Sequence, residues 1–149
     1  MSQSSTSEAL RAWPLWLAAL WWGSLTTLIF GIVPLLFAYL PEKAMAGNIA
    51  AQLFGVQAMV STVLGIALLG ASIMGTSAAW SARAGGARGF VLTGVLLALL
   101  VEFAVAPQIV ARSNLPLWHS VGSVMLLLQW LCAAITFWRM AWPQPPAQV

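Results

Sequence analysis

Charged side chains occur at few points along this chain, and between them it stays apolar over distances that suit a lipid bilayer. Arg11 and Glu42 are separated by 30 uncharged residues, and Lys43 and Arg83 by 39. Another 23 residues lie between Arg88 and Arg112, Glu102 among them, and 26 lie between Arg112 and Arg139, His119 among them. A helix needs about 20 predominantly apolar residues to cross the hydrocarbon core. Strands of a membrane barrel would show alternating segments of ~10 residues, and these runs are longer and continuous. The pattern therefore predicts an all-α integral membrane protein. Its core is a four-transmembrane-helix bundle within residues 13–142, with spans at about 13–40, 52–79, 89–111 and 116–141.

Outside the spans the polarity changes. Residues 1–12, opening with MSQSSTS, read as a disordered cytoplasmic tail. Pro143-Gln144-Pro145-Pro146 stops the last helix and leaves residues 143–149 as a flexible C-terminal tail. Between the first two spans, Glu42 and Lys43 are followed by small residues, with Gly47, Ala51 and Gly55 at every fourth position. That spacing predicts a short helical turn leading into the second span along a closely packing face. Ala44-Met45-Ala46 fits a small-x-small cleavage site, but the apolar run before it exceeds the h-region of a signal peptide, so an anchor is expected.

Composition agrees with lipid as the main solvent. The chain is 61% hydrophobic and 6% charged, with a mean hydropathy of +0.91; soluble domains carry roughly 25% charged residues. The net charge of +3 comes from six basic residues scattered singly at span ends. That placement orients a membrane protein and does not form a nucleic-acid surface. Arg11, Arg83, Arg88 and Arg139 fall on one side, and Lys43 and Arg112 on the other. The excess predicts a multi-pass protein of the bacterial inner membrane with both termini in the cytoplasm. Trp13, Trp16, Trp80, Trp118, Trp138 and Trp142 lie near span ends, as interfacial aromatics do, whereas Trp21 and Trp22 lie deeper.

Phe30-Gly31-Ile32-Val33-Pro34 in the first span resembles Phe103-Ala104-Val105-Ala106-Pro107 in the third, 73 residues later. If genuine, the match makes the bundle two parallel helical-hairpin repeats about an axis along the membrane normal; chance likeness between apolar stretches is the alternative. Ala67, Ala71, Gly75 and Ala79 form a small-residue stripe, with Ser61 and Gly65 before it, suited to close helix packing within the bundle first, with a dimer contact as the alternative.

Glu102 is the one charge inside a span. It lies about 15 Å along an ideal helix from Arg112, where an acid costs about 2.5–3.5 kcal/mol on insertion scales. It must be neutral or partnered. As a functional group it would serve a proton- or cation-coupled site; as a structural one it would lock helices together. The candidate polar site comprises Glu102, Gln57, Ser123, Pro107 and His119, with Ser61, Thr62, Thr26, Thr27 and Gln129 at similar depths. Pro107 and Pro34 release the carbonyls of Phe103 and Phe30. His119, just after Pro116, reads as an interfacial or capping group. A lone His and the lone Cys132, with dispersed methionines such as Met45 and Met59, give no metal-binding set. No cofactor is expected, and no nucleotide-binding, zinc-protease or nucleophile motif is present.

Several segments together carry a family likeness: Trp22-Gly23, Pro34-Leu35-Leu36-Phe37, Leu40, Ala46-Gly47-Asn48-Ile49 and Leu53-Phe54, then Pro107 and His119-Ser120. They resemble the bacterial four-helix membrane proteins of domain of unknown function 4149, related to the eukaryotic transmembrane protein 205. The resemblance covers about residues 13–140. In that family an Asn often follows the His-Ser segment, where this chain has Ser123. The resemblance implies a polytopic bundle of unresolved biochemical role. The eukaryotic relative is linked to resistance to platinum compounds, a property that one His and one Cys do not carry over. The sequence thus leads to a non-enzymatic membrane protein embedded in lipid, acting as a homo-oligomer or with a membrane-protein partner. Small-solute or proton-linked transport around Glu102 is the first expectation. The alternatives are an accessory or assembly subunit of a larger complex, and, last, a haem- or copper-linked protein.

Overall fold

The computed structural model describes residues 3–74, 78–111 and 114–142, with side chains from residues 13–74, 86–111, 114 and 116–142. Four helices are long and apolar enough to cross a membrane: Trp13–Tyr39, Lys43–Met74, Gly86–Val110 and Pro116–Ala141. The described residues contain no strand. The first span consists of α1 (Gln3–Thr26), a π-helical segment π1 (Thr27–Ile32) and α2 (Val33–Tyr39). The second is α3 (Lys43–Met74). The third is built from α4 (Ala78–Leu100), π2 (Val101–Val105) and α5 (Ala106–Val110), and the fourth is α6 (Leu115–Ala141).

Three boundaries differ from expectation. Helix α1 starts at Gln3, so residues 3–12 are helical where a disordered tail was expected. Once a span is formed, each added residue gains one hydrogen bond without a new nucleus. Helix α3 runs unbroken from Lys43, so residues 43–51 belong to the span instead of forming a separate turn. Pro41 explains the sharp start: Leu40 before it is extended, at φ −81° and ψ 137°, as the residue before a proline prefers. Helix α4 begins at Ala78, well before the expected span start at residue 89. The expected C-terminal tail at 143–149, together with Gly75 and Arg112, lies outside the described residues. Asn114 turns the chain into α6 in the left-handed region, φ 45°, a conformation Asn tolerates better than most residues. Pro116 then sits in the first turn of α6, where its missing N–H costs nothing.

The spans form a ring in chain order: α3 packs on α1 and α4, and α6 packs on α4 and α1. The interior is mainly small and apolar, with a few polar side chains set into it. Gln57, Ser61, Ser72, Gln129 and Thr136 are buried, while Val56, Met59, Val63 and Ile66 of α3 face outward. Water would penalise that arrangement; hydrocarbon favours it. Lipid also removes the hydrophobic drive between helices, leaving close packing and hydrogen bonds to hold them. Two glycines supply the closest approaches. A Cβ on Gly65 of α3 would run into Val95 Cγ2 of α4. A Cβ on Gly94 of α4 would stand 2.6 Å from Cη2 and 2.8 Å from Cζ2 of Trp21. Trp21 is wholly buried, so its indole reaches from α1 across the bundle to α4. Ser61 and Gly65 make the expected small-residue contact with the bundle; within the stripe itself, Ala71 is buried and Ala67 only half-buried.

Near Ser72, at the end where α3 finishes, the bundle is tied by two arginines. Arg88 Nε donates to Ser72 Oγ at 3.0 Å, and its guanidinium also reaches the Ser72 carbonyl. Arg139 Nη1 donates to the Gly86 carbonyl at 2.9 Å, and its Cζ lies 5.0 Å from the centre of the Phe90 ring. Arg88 and Arg139 therefore share one end, as the charge pattern anticipated. The close approach at Gly94 makes a prediction. Gly94→Val has no room and lowers stability in detergent by about 1–3 kcal/mol or more. Gly70→Val, where an added Cβ meets open space, shows only the smaller cost of helix propensity. Thermal unfolding followed by helical circular dichroism checks the pair, and equal losses would refute the packing argument.

Candidate functional site

The two π-helical segments share one local cause. Each ends two residues before a proline, π1 before Pro34 and π2 before Pro107. In an α-helix the proline ring would strike the carbonyl four residues back, that of Phe30 or Phe103. Widening the turn to i→i+5 bonding moves that carbonyl aside. Val33 N–H accordingly donates to the Leu28 carbonyl, and Ala106 N–H to the Val101 carbonyl. These bonds are related by the same 73-residue offset as the motifs, so the repeat extends from sequence into backbone geometry.

Glu102 is the second residue of π2 and is half-buried. Its carboxylate lies over Gly55 of α3: a Cβ built there would be 3.4 Å from Oε2 and 3.8 Å from Oε1. Among the described residues, none donates a hydrogen bond or forms an ion pair with that carboxylate. At the equivalent place in the first repeat stands Ile29, which packs against the core. One repeat thus carries a hydrocarbon where the other carries an acid.

Gln57 is 7% exposed and faces the other way, toward α1. Its Nε2 donates to Ser24 Oγ at 3.1 Å and to Ser61 Oγ at 3.2 Å. Ser24 passes its own proton to the Trp21 carbonyl at 2.9 Å. Its oxygen must therefore accept from Gln57, which orients the amide. Near this network Trp130 Nε1 donates to Thr26 Oγ1 at 2.9 Å, and Thr26 donates to the Trp22 carbonyl at 2.7 Å. Trp22 stacks on Phe137 at 5.6 Å and tilts against Trp130 at 6.3 Å, sealing α1 to α6.

The remaining candidates lie apart. Ser123, His119 and Pro107 are exposed. Neither Ser123 nor His119 bonds to Glu102, and Ser120 beside His119 donates to the Pro116 carbonyl at 2.9 Å. Glu102 and Gln57 occupy opposite faces of α3, so the five residues do not gather into one cluster. Sequence gives the depth of each residue but not its facing, and the facing of each helix separates them. Among the described residues no three of His, Cys, Asp and Glu come together. Cys132 is buried, its Cβ 3.4 Å from where a Cβ on Gly94 would stand.

Two further polar groups matter. Depth alone does not single out Ser24, although its position 33 residues before Gln57 in an antiparallel hairpin is a usable signal. Gln129 is 1% exposed, and its Nε2 has no acceptor among the described residues; the same holds for Trp21 Nε1 and Trp22 Nε1. Gln129 lies one turn from Cys132 on α6.

Four apolar spans, a few buried polar side chains and an acid on a π-turn define a multi-pass helical membrane bundle. The model of one family, a domain of unknown function (DUF4149), matches residues 16–115, and the chain belongs to that family. The matched stretch contains both π–proline segments, Gly55, Gln57 and Glu102, and stops short of His119 and Gln129. It bears on the domain family and not on transmembrane protein 205. Neither a curated protein nor a solved structure matches the chain.

The two buried glutamines make opposite predictions. Gln57→Leu removes two hydrogen bonds between or along helices and costs about 0.6–1.7 kcal/mol. Gln129→Leu removes a buried donor without an acceptor and is neutral or stabilising by about 1 kcal/mol. Reversible unfolding in mixed micelles measures both, and a larger loss for Gln129→Leu would contradict the assignment.

Proposed function

We propose that the protein is a non-enzymatic, multi-pass subunit of the bacterial inner membrane that docks a helix of a second membrane protein through Glu102. The reading rests on one observation: Glu102 is half-buried in a membrane span, and no described residue donates to its carboxylate. In hydrocarbon a carboxyl group gains from any polar contact. In its neutral form it can donate and accept at once, so a polar side chain on an adjoining helix completes it. A further copy of this chain is one such neighbour, and a different membrane protein is the other. The accessory role is preferred to a free-standing carrier because Glu102, Gln57 and His119 do not share a cleft. No cofactor enters the proposal.

Transport, proton-linked or of a small solute, is the second reading, and the π-turn under Glu102 favours it, since such turns recur at functional sites. The two readings part at one substitution. Glu102→Gln keeps hydrogen bonding and removes protonation; Glu102→Leu removes both. If Glu102 docks a helix, Glu102→Leu weakens association about threefold to tenfold, while Glu102→Gln leaves it near native. Crosslinking and native electrophoresis of membranes report that association. Full association in Glu102→Leu would end the docking proposal, and proton flux in liposomes lost with Glu102→Gln alone would favour transport.

Orientation belongs to the same proposal. The arginine-rich end, with Arg88 and Arg139, faces the cytoplasm under the positive-inside rule. A reporter phosphatase, active only outside the cytoplasm, is expected to be inactive when fused after Val149 and active when inserted between Pro41 and Lys43. The reverse pattern would invert the topology.

A further inference from the structure

Between the first two spans, on the face of α3 opposite Glu102, a groove of about 490 Å³ opens toward the bilayer. Gly23, Ser24 and Thr27 line it from the first span, and Leu53, Val56 and Gln57 from α3. The volume falls within the range of small-molecule sites. Its walls are mostly apolar, yet two polar groups are left over in it. The Gln57 amide nitrogen is engaged by Ser24 and Ser61, and its carbonyl oxygen accepts from no described residue. Gln57 is itself more than nine-tenths buried, so this is a built feature of the wall. Thr27 is exposed, and its hydroxyl bonds to no described residue. Its neighbours behave differently: Ser24, Thr26 and Thr62 each donate to a backbone carbonyl three or four residues back. Thr27 opens π1, where the wider turn changes its relation to the preceding carbonyls. Gly23 keeps the groove open, because a Cβ there would meet nothing within 4 Å.

We infer that this groove binds a neutral, lipid-soluble molecule through a hydroxyl group. The chemistry follows from what the wall lacks. An acceptor and a hydroxyl in hydrocarbon, away from water, each want a partner. A single ligand hydroxyl satisfies both: it donates to the Gln57 carbonyl oxygen and accepts from the Thr27 hydroxyl. The named wall residues include no charge to pair with an ion, which selects a neutral head group. An acyl chain alone fills the volume and leaves both polar groups unmet. The site lies on a different face from Glu102 and stands or falls independently of the docking reading.

The test uses the full-length protein in nanodiscs with a photoactivatable long-chain alcohol, a diazirine carried on the hydrocarbon chain. Crosslinks mapped by mass spectrometry are expected at the groove walls around Gly23, Thr27 and Val56. Unlabelled hexadecanol competes them away, and hexadecane does not. Gly23→Leu, at a position where an added Cβ meets nothing within 4 Å, puts a side chain into the groove and abolishes the signal. Thr27→Val and Gln57→Leu each lower it about threefold or more. Thr27→Val, on an exposed position, serves where Gln57→Leu fails to fold. Equal competition by hexadecane would overturn the proposal and leave an acyl-chain crevice. Labelling that survives Gly23→Leu would overturn it as well. So would protein–protein crosslinks from Gly23 or Val56 that exclude the alcohol, which would make the groove a helix-docking face.

Discussion

Trp21 occupies the centre of the bundle, fully buried, with its ring where any side chain at Gly94 would stand. Lipid gives helices little reason to associate for hydrophobicity alone, so contact area and polar bonds must do it. A large flat ring set against a bare backbone provides that area between α1 and α4, which stand diagonally in the ring of spans. The neighbouring contacts follow from it. Gly65 lets α4 close on α3 at Val95, and Cys132 completes the Trp21 pocket from α6. The Trp21 carbonyl also anchors Ser24, which orients the Gln57 amide toward α1. One buried indole thus fixes both the spacing of the spans and the direction of the main polar network.

Class and the number of spans were legible because they depend on sums over many residues. Long charge-free runs, scattered arginines and prolines at the span boundaries leave few alternatives to four helices. The structure keeps the expected spans at Trp13–Tyr39 and Pro116–Ala141 closely. Boundaries beside polar residues were harder, since an existing helix gains further turns at little cost per residue; α1 and α3 both begin earlier than expected. The site was less legible. Depth can be counted from a charged end, but facing depends on helix rotation, which one π-turn shifts. Ser123 and His119 lie at or near suitable depths and point outward, whereas Gln57 points to Ser24 and not to Glu102. Apolar periodicity gives no guide here, because these spans are apolar around their whole circumference.

The repeat shows how the site acquired its asymmetry. Both hairpins widen a turn before a proline, at matching positions and through matching backbone bonds. The geometry is therefore a property of the motif and carries no specific chemistry. Chemistry enters where the halves diverge. Ile29 packs on the core in the first half, and Glu102 takes that place in the second, over a glycine that leaves its carboxylate accessible. In the first half the π-turn begins instead at Thr27, which lines the lateral groove. A shared backbone device thus presents an acid on one side of α3 and a hydroxyl on the other. The proline requirement sets both turns. The residue placed on each turn decides what it can bind.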